Sequence, residues 1–201
     1  ITTHHVISPA LERWMTQTQG IAKEKVVMAP LVGLTVTDRS EDFRRRDDAE
    51  PITVAFVGRM ARQKAPEVFV AMAHRLRRAG VRARFIMHGD GDMAGAIDHF
   101  IRALGLEGAI ERRTSEVPVV ETLRDAHLLV IPSHNEGLTL TTLEAIAHGV
   151  PVVSTDVGAQ SDVVPPRALT SRNAHRAVGQ LAAKVSWLAR DEQARHDLWR
   201  S

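Results

Sequence analysis

The sequence predicts an α/β fold, with a doubly wound parallel sheet between two layers of helices. From residue 51 onward, short apolar runs alternate with segments whose apolar residues recur at helical spacing. Strands separated by helices of about 10–15 residues are typical of parallel βαβ units with right-handed crossovers. The apolar runs contain few polar residues, as expected when helices cover both faces of a sheet. We therefore predict that residues 51–201 form a Rossmann-like domain with about six strands.

The first part of this domain is predicted to contain three strands, each followed by a helix. Residues 52–58 (ITVAFVG) form an apolar run that predicts the first strand. A helix follows and ends at Gly80, and its apolar face is formed by Phe69, Met72, Ala73 and Leu76. The next predicted elements are a strand at 82–89, a helix at 93–104, a strand at 109–113 and a helix at 118–125.

The same alternation continues to the end of the chain. Residues 127–133 (HLLVIPS) predict a strand, and the segment after Gly158 predicts a short turn or helix. The other predicted elements are a helix at 138–148, strands at 151–154 and 167–170, a helix at 173–188 and a helix from residue 191 onward.

Residues 1–50 have a different pattern. Residues 7–20 (ISPALERWMTQTQG) predict a helix that ends at Gly20, and residues 25–31 (KVVMAPL) predict a strand. Residues 35–50 are charged and nearly free of apolar side chains. We expect residues 1–50 to be a linker and a residual element from a missing N-terminal domain.

Composition narrows the class of protein. The 201 residues contain no cysteine, which excludes disulfides and thiolate chemistry. No apolar run approaches the ~20 residues of a membrane-spanning helix, and the start does not resemble a signal peptide, so we expect a cytoplasmic protein. Arg supplies 22 of the 26 basic residues, which reflects either codon usage or an anionic partner such as acidic lipid. With 4% aromatic residues and no Tyr, stacking on nucleic-acid bases is not expected.

The turn after the first strand, GRMARQKAPE, combines glycine with two cations. Gly58 permits a close approach of the backbone, and Arg59 and Lys64 lie beside the start of the next helix. Ligands of doubly wound sheets bind at the carboxyl ends of the strands, where helix N-termini favour anions. The turn therefore predicts a phosphate or diphosphate site, with ordinary solvated charges as the alternative.

The turn after the second strand, HGDGDMAG, does not complete a dinucleotide fingerprint. Ala94 stands where the third glycine of G-x-G-x-x-G belongs, which argues against a nicotinamide-dinucleotide site. Asp90 and Asp92 could hold a divalent metal, but Gly and Asp are also the residues that tight turns and helix N-caps favour. We prefer the turn interpretation and predict no metal site.

The third turn, NEGLTLTTLEA, carries two glutamates eight residues apart. Glu136 precedes a helix predicted to start near Leu138, and Glu144 lies about 9–12 Å further along it. Two carboxylates can accept hydrogen bonds from two sets of hydroxyls, with a phosphate held between them by the helix N-terminus. The alternative is a helix-start acid at Glu136 and a solvated Glu144. Apolar neighbours predict that Glu144 lies close to the buried side.

Together these segments resemble the C-terminal, nucleotide-sugar-binding domain of retaining GT-B glycosyltransferases of the group 1 type (family 4). The resemblance rests on VAFVGRMARQK, FIMHGDGD and EGLTLTTLE followed by AIAHGVPVVSTDVGAQSDVV, and it covers roughly residues 50–190. It implies one half of a GT-B fold that binds a nucleoside-diphosphate-sugar, UDP-sugar or GDP-sugar, without a metal or other cofactor. The chain departs from the family pattern at Ala65 and Thr139, where glycine is usual.

The resemblance also implies a role for individual residues. Glu136 would be the catalytic residue beside the transferred sugar. The other implied contacts are Gly58, Arg59, Lys64, Thr139 and Leu140 with the diphosphate, Glu144 with the ribose, Glu136, Gly137 and Leu138 with the sugar, and Arg113, Thr114 and Val117 with the base.

At the level of the whole enzyme, the resemblance implies transfer of a hexose to a glycan or lipid acceptor. The acceptor would bind a separate N-terminal domain, so we expect the isolated chain to bind donor without transferring sugar. The complete enzyme would act in bacterial-type polysaccharide or glycoconjugate synthesis, in the cytoplasm or at the inner face of the membrane. Two other interpretations remain at this point. One is a non-catalytic nucleotide-binding or interaction module on the same fold, and the less favoured one is an NAD-dependent oxidoreductase.

Overall fold

A computed structural model describes residues 3–6, 9–29, 43–47, 49–137 and 139–201. These residues form a two-stranded sheet near the start of the chain and a six-stranded sheet that covers the rest. The predicted connection at 35–50 therefore lies mostly outside the described residues, as does Leu138 in the third turn.

The two-stranded sheet pairs β1 (His4–Val6) with β2 (Val26–Met28) in parallel. The predicted helix at 7–20 is only partly correct. Regular α-helix covers α1 (Pro9–Arg13), and the chain then widens into a π-helix (Trp14–Thr18) in which Gln19 N donates to Trp14 O at 3.1 Å. The strand β1 was not predicted, because three residues are too short to show an alternating pattern.

The six-stranded sheet confirms the predicted fold class. Its strands are β3 (Ile52–Val57), β4 (Ala83–His88), β5 (Ile110–Arg113), β6 (Leu128–Ile131), β7 (Val152–Thr155) and β8 (Leu169–Thr170). All five pairings are parallel, and the spatial order is β5-β4-β3-β6-β7-β8. The first strand of this sheet, β3, is therefore central. Strands β4 and β5 extend the sheet on one side, and β6, β7 and β8 extend it on the other. The reversal of direction between β3 and β6 creates the crevice where doubly wound sheets bind ligands.

Helices connect these strands and flank the sheet. They are α2 (Pro66–Arg78), α3 (Ala94–Ala103), α4 (Val119–Asp125), α5 (Leu140–Ala147), α6 (Gln160–Val163), α7 (Ala174–Leu188) and α8 (Glu192–Arg200). The last two have side-chain caps, since Asn173 Oδ1 accepts from Arg176 N at 3.3 Å and Asp191 Oδ1 accepts from Ala194 N at 2.8 Å. Within the described ranges, no helix has the length and apolar character that crossing a membrane requires.

The core lies between the central strands and α2. Phe69, Met72, Ala73 and Leu76 are buried, which confirms the predicted apolar face of this helix. The Phe69 ring lies 5.7 Å from the ring of Phe56 on β3 and 6.0 Å from that of Phe85 on β4. Such aromatic contacts stabilise by about 0.5–1.5 kcal/mol beyond the burial of area, and they fix the helix over the two strands that position the first two turns.

A second packed group lies at the amino ends of the strands, where residues 43–46 meet α8. We call Phe43, His127, Glu192, Arg195 and Trp199 the amino-edge cluster. Phe43 is 8% exposed, and the Arg195 guanidinium lies 4.4 Å from its ring centroid. Phe43 lies in the segment 35–50, which was predicted to be a charged connection, and its burial against Arg195 anchors the part of the chain before β3.

The amino-edge cluster also controls the protonation of a histidine. Thr53 N donates to His127 Nδ1 at 3.0 Å, so this ring nitrogen must be unprotonated. Burial lowers the pKa of His127 to about 4, and the nearby charges of Arg195, Arg44 and Arg46 act in the same direction. The imidazole is thus neutral in the folded protein near neutral pH.

Candidate functional site

The candidate site lies at the carboxyl ends of β3 and β6, at the reversal point of the sheet. The turn that carries Gly58, Arg59 and Lys64 follows β3, and the turn that carries Ser133 and Glu136 follows β6. The two turns are hydrogen-bonded to each other, because His134 N donates to Gln63 O at 2.9 Å and Gln63 Nε2 donates to Asn135 O at 3.0 Å. Segments that are about 70 residues apart in sequence therefore form one surface.

Lys64 and Glu136 form a hydrogen-bonded ion pair in this surface. Lys64 Nζ lies 2.6 Å from Glu136 Oε1 and 2.9 Å from Oε2. The Glu136 side chain is 5% exposed and that of Lys64 is 20% exposed, so most water is excluded from the pair. A diphosphate and a sugar that touched these two residues would therefore have to lie directly beside each other.

Ser133 holds the carboxylate from the other side. Its hydroxyl donates to Glu136 Oε1 at 2.6 Å, and Thr155 Oγ1 on β7 donates to Ser133 O at 2.6 Å. Ser133 was not among the predicted residues. The signal in the sequence is weak, since a serine directly after a strand usually serves only the turn.

Arg59 differs from Lys64 in having an open guanidinium. The residue is exposed, and its side chain has no hydrogen-bond or ion-pair partner among the described residues. A planar cation with five N–H donors, next to the turn that follows β3, suits a phosphate oxygen. The predicted pair of cations is thus brought to one site, with one of them already partnered and the other available.

Two glycines that were not predicted allow these turns to pack. Gly89 has φ +120°, and a Cβ there would lie 2.3 Å from Gly58 O. Gly158 has φ +56°, and a Cβ there would lie 2.1 Å from Glu136 O. A side chain at either position would displace the backbone that carries Gly58 or Glu136. At Gly58 itself, the nearest atoms that a Cβ would meet belong to the flexible Lys64 side chain, at 3.6 Å, so the predicted close approach of this backbone to a ligand stays a prediction.

The start of α5 adds backbone donors to the site. The helix begins at Leu140 rather than near Leu138, with Thr139 in extended conformation as its N-cap. The first N–H groups of a helix have no partner within the helix, and they favour an anion. Thr139 is buried, and its Oγ1 has no hydrogen-bond partner among the residues that the structure describes. Gly137 lies just before this segment, and its carbonyl accepts from Ala159 N at 2.9 Å.

Glu144 lies further along α5 and is exposed. The expectation that it lies close to the buried side was wrong, because the apolar neighbours Ala145 and Ile146 point to other faces of the helix. Its carboxylate makes no hydrogen bond or ion pair within the parts of the chain that the structure describes, so both oxygens can accept hydrogen bonds from a ligand.

The predicted base-lining residues lie at the end of β5. Thr114 and Val117 close a turn in which Val117 N donates to Thr114 O at 3.2 Å, and Thr114 is exposed. The Arg113 guanidinium is already held by Glu111 at 2.6 Å, Asp125 at 2.7 Å and the Thr122 hydroxyl at 3.2 Å. Arg113 therefore fixes the loop, while the exposed backbone and side chains that follow it remain available to a base.

Asp90 of the second turn is hydrogen-bonded to the loop that follows β5. Asp90 Oδ2 accepts from Ser115 N at 2.6 Å, and hydrogen bonding by the side chain and the backbone N–H of Ser115 lowers the pKa of the Asp90 carboxyl. It ties the second turn to the loop at 114–117. In the described part of the chain, no three His, Asp or Glu side chains come together in a group that could hold a metal ion.

Proteins of known class share both sequence and fold with this chain. It is 31% identical over 169 residues to the D-inositol 3-phosphate glycosyltransferase of Paenarthrobacter aurescens, which covers 78% of the chain and 41% of that relative. The chain thus spans less than half the length of this curated relative.

Solved structures with low sequence identity share the fold. One is the pneumococcal O-GlcNAc transferase GtfA, solved in complex with UDP and GlcNAc. The match covers 100% of this chain and 42% of the GtfA chain, with a TM-score of 0.79 and 17% identity. Another is the C-terminal domain of a glycosyl transferase group 1 family protein (LpcC) from Francisella tularensis. The match covers 84% of this chain and 93% of the LpcC domain, with a TM-score of 0.69 and 20% identity.

The family itself is identified by sequence. The model of the family described as glycosyl transferases group 1 matches residues 51–191, more than two thirds of the chain. This range contains both strands of the reversal point and all the site residues described above. The chain therefore belongs to the group 1 glycosyltransferases.

Proposed function

We propose that this chain is the donor-binding half of a retaining glycosyltransferase, and that it binds a nucleoside-diphosphate-sugar from which a hexose is transferred. The observation that carries the proposal is the pairing of Lys64 with Glu136 at the reversal point of the sheet, in the same turn as Arg59, whose side chain has no partner among the described residues. A phosphate-binding group and a hydroxyl-binding group are thus adjacent, as a sugar diphosphate requires.

The diphosphate would be held by charge and by backbone amides. Arg59 and Lys64 supply the cations, Gly58 supplies the turn that carries them, and the start of α5 at Thr139 and Leu140 supplies N–H donors. When the bond between sugar and diphosphate breaks, negative charge grows on the leaving phosphate. Cations held against that phosphate once the donor has bound stabilise the charge.

The sugar and the ribose would be bound by the two glutamates. Glu136, with Gly137 and Leu138, would contact the transferred sugar, and the open carboxylate of Glu144 would accept hydrogen bonds from the ribose hydroxyls. Glu136 is the catalytic residue in this scheme. Its negative charge beside the sugar would stabilise the positive charge that develops on the ring as the glycosidic bond breaks.

The base would lie against the loop after β5. Thr114 and Val117 would line it, and Arg113 would hold the loop through its contacts with Glu111 and Asp125. The hydrogen bond from Ser115 N to Asp90 supports the same loop from the second turn.

The acceptor would be bound by another part of the whole enzyme. The relative from P. aurescens is more than twice as long as the matched region, and the matched LpcC structure is a C-terminal domain. We infer that residues 1–50 contain a linker and the end of an N-terminal acceptor-binding domain. The whole enzyme would act in the cytoplasm, in contact with the inner face of the membrane where its acceptor is a lipid.

A ligand-stabilisation assay tests the donor site. UDP or GDP should raise the unfolding temperature of the chain, and NAD should not. The stabilisation follows RT ln(1 + [L]/Kd), which is about 2.7 kcal/mol at a hundredfold excess over Kd. Stabilisation by NAD alone, or by none of the three, would contradict the proposal. A transfer assay with the N-terminal part added then separates an enzyme from a nucleotide-binding module, which would bind without turnover.

Binding is expected to need no divalent metal. The cations of the site are Arg59 and Lys64, and Asp90 is occupied by Ser115 N. UDP affinity should therefore be the same with EDTA as with magnesium. An affinity that falls on chelation and returns with magnesium or manganese would show that Asp90 and Asp92 take part in a metal site.

A further inference from the structure

The Lys64–Glu136 ion pair affects how tightly a nucleoside diphosphate binds when a sugar is attached and when it is not. Lys64 has three N–H donors, and the two oxygens of Glu136 occupy two of them at 2.6 and 2.9 Å. Ser133 adds a further donor to Oε1 at 2.6 Å. In this structure Glu136 therefore neutralises the cation that the diphosphate would need.

A diphosphate that approaches Lys64 must compete with Glu136. Its negative oxygens meet a carboxylate that is almost fully buried, where screening by water is weak. A nucleoside diphosphate without sugar is the worse case, because its terminal phosphate is close to doubly ionised near pH 7. In a nucleotide-sugar that same phosphate carries one charge fewer.

An attached sugar removes much of this cost. Its hydroxyls can donate to Glu136 and replace the hydrogen bonds that Lys64 withdraws when it turns to the phosphate. A bare nucleoside diphosphate offers no such donors, so the buried carboxylate loses partners without replacement, which is unfavourable. The free-energy cost of separating Lys64 from Glu136 thus depends on whether the sugar is present.

We propose that Glu136, positioned by Ser133, discriminates the intact nucleotide-sugar from the nucleoside diphosphate that remains after transfer. The inference rests on the proposed function, and it adds that Glu136 weakens the binding of the product. Glu136 would then favour donor entry when sugar is attached and product release once sugar has left. Ser133 is a positioning residue here, since it acts only through the carboxylate.

The test compares the dissociation constants of UDP and UDP-N-acetylglucosamine, measured by calorimetry on the 201-residue chain. In Glu136→Gln, UDP should bind about tenfold more tightly, because Lys64 is released and the repulsion is gone. UDP-N-acetylglucosamine should bind more weakly, because an amide is a poorer acceptor for the sugar hydroxyls. The two affinities should thus move in opposite directions.

Glu144→Gln is the matched control, with the same chemical change eight residues along the chain. It should weaken both ligands by the same factor, since both contain the ribose. If Glu136→Gln also weakens UDP, or changes both ligands equally, the discrimination does not exist and the inference is overturned.

Ser133 is tested by the ratio of the two constants. Ser133→Ala should shift the ratio about two- to threefold in the direction of Glu136→Gln, and Ser133→Thr should restore it, because threonine keeps the hydroxyl. A general loss of structure would weaken both ligands and leave the ratio unchanged. Failure of the wild-type chain to bind UDP, GDP or either nucleotide-sugar would refute the proposed function itself, and this outcome is visible before any variant is made.

Discussion

Each end of β6 carries an ion pair in which one side chain is almost fully buried, and the two pairs differ in their surroundings. At the amino end, Arg195 is fully buried, and its guanidinium donates to Glu192 at 2.5 and 3.1 Å, to His127 O at 2.8 Å and to Arg44 O at 2.6 Å. At the carboxyl end, Lys64 and Glu136 are paired but remain at the surface of a crevice.

The difference lies in what surrounds each pair. The Arg195 guanidinium lies against the Phe43 ring, and each of its three nitrogens already donates a hydrogen bond to Glu192 or to a backbone carbonyl. Near the Lys64 pair, Arg59 and Thr139 Oγ1 lack partners among the described residues, and α5 begins at Leu140, so the first N–H groups of this helix have no partner within it. A saturated buried charge stabilises one conformation, whereas an unsaturated one is the usual mark of a binding site.

The largest expected effect is on stability, at Arg195. Arg195→Ala should lower the free energy of unfolding by about 3–5 kcal/mol, because Glu192 and two carbonyls lose their partner and a cavity forms next to Phe43. Urea unfolding measures the change. The affinity for UDP, measured at a urea concentration well below the unfolding midpoint, should stay within about twofold of the wild-type value.

Arg102→Ala is the control for this variant. Arg102 is exposed on α3, so removing the same charge there should change stability by no more than about 0.5 kcal/mol. If Arg195→Ala is as mild as Arg102→Ala, the amino-edge cluster does not stabilise the fold as described.

The next effect is a dependence of stability on pH. The native pKa of His127 is about 4, against 6.5 for an unperturbed histidine. Between these values the unfolded chain binds the proton and the native chain does not, so stability is complete above about pH 6.5 and falls as the pH drops toward 4. The loss from this residue should reach about 3 kcal/mol.

His127→Gln isolates this contribution. Glutamine can still accept from Thr53 N but does not titrate, so its stability between pH 7 and 4 should fall less steeply than that of the wild type. Equal slopes in urea unfolding at several pH values would show that His127 does not titrate in this window.

A smaller effect is expected in the first turn. Ala65 is buried with φ 49° and ψ 52°, a left-handed conformation that costs a non-glycine residue roughly 1–2 kcal/mol. Ala65→Gly should stabilise the chain by about 0.5–1 kcal/mol, since part of the relief is offset by the greater entropy of glycine in the unfolded state. Ala73→Gly, in the middle of α2, should instead destabilise by about 1 kcal/mol or more. A loss of stability at both positions would contradict the account of Ala65.

Local pattern was enough to predict the six-stranded fold and the charged residues of the site. The central strands β3 and β6 are short, nearly continuous buried apolar runs, and helical spacing is regular in α2 and α7, so both patterns can be recognised from the sequence. Arg59, Lys64 and Glu136 follow strands, and the topology of a parallel sheet brings such positions to one edge.

The features that were missed depend on contacts between distant segments. Ser133 matters because it meets Glu136, and Gly158 matters because another backbone passes 2.1 Å from where its side chain would lie. Phe43 is a single apolar residue in a charged segment, and only its contact with Arg195, far along the chain, shows that it is buried. The local pattern of apolar and polar residues along the chain does not encode contacts between segments that are distant in sequence.

The central claim is that the carboxyl edge binds a diphosphate through Lys64 and Arg59. Calorimetry of UDP and of uridine, on the wild type and on Lys64→Ala and Arg59→Ala, tests it most directly. Loss of one charge-assisted contact, about 1.5–3 kcal/mol, should weaken UDP roughly ten- to a hundredfold and leave uridine unchanged. Arg102→Ala should change neither ligand. Equal losses for UDP and uridine, or no loss for UDP, would contradict the claim.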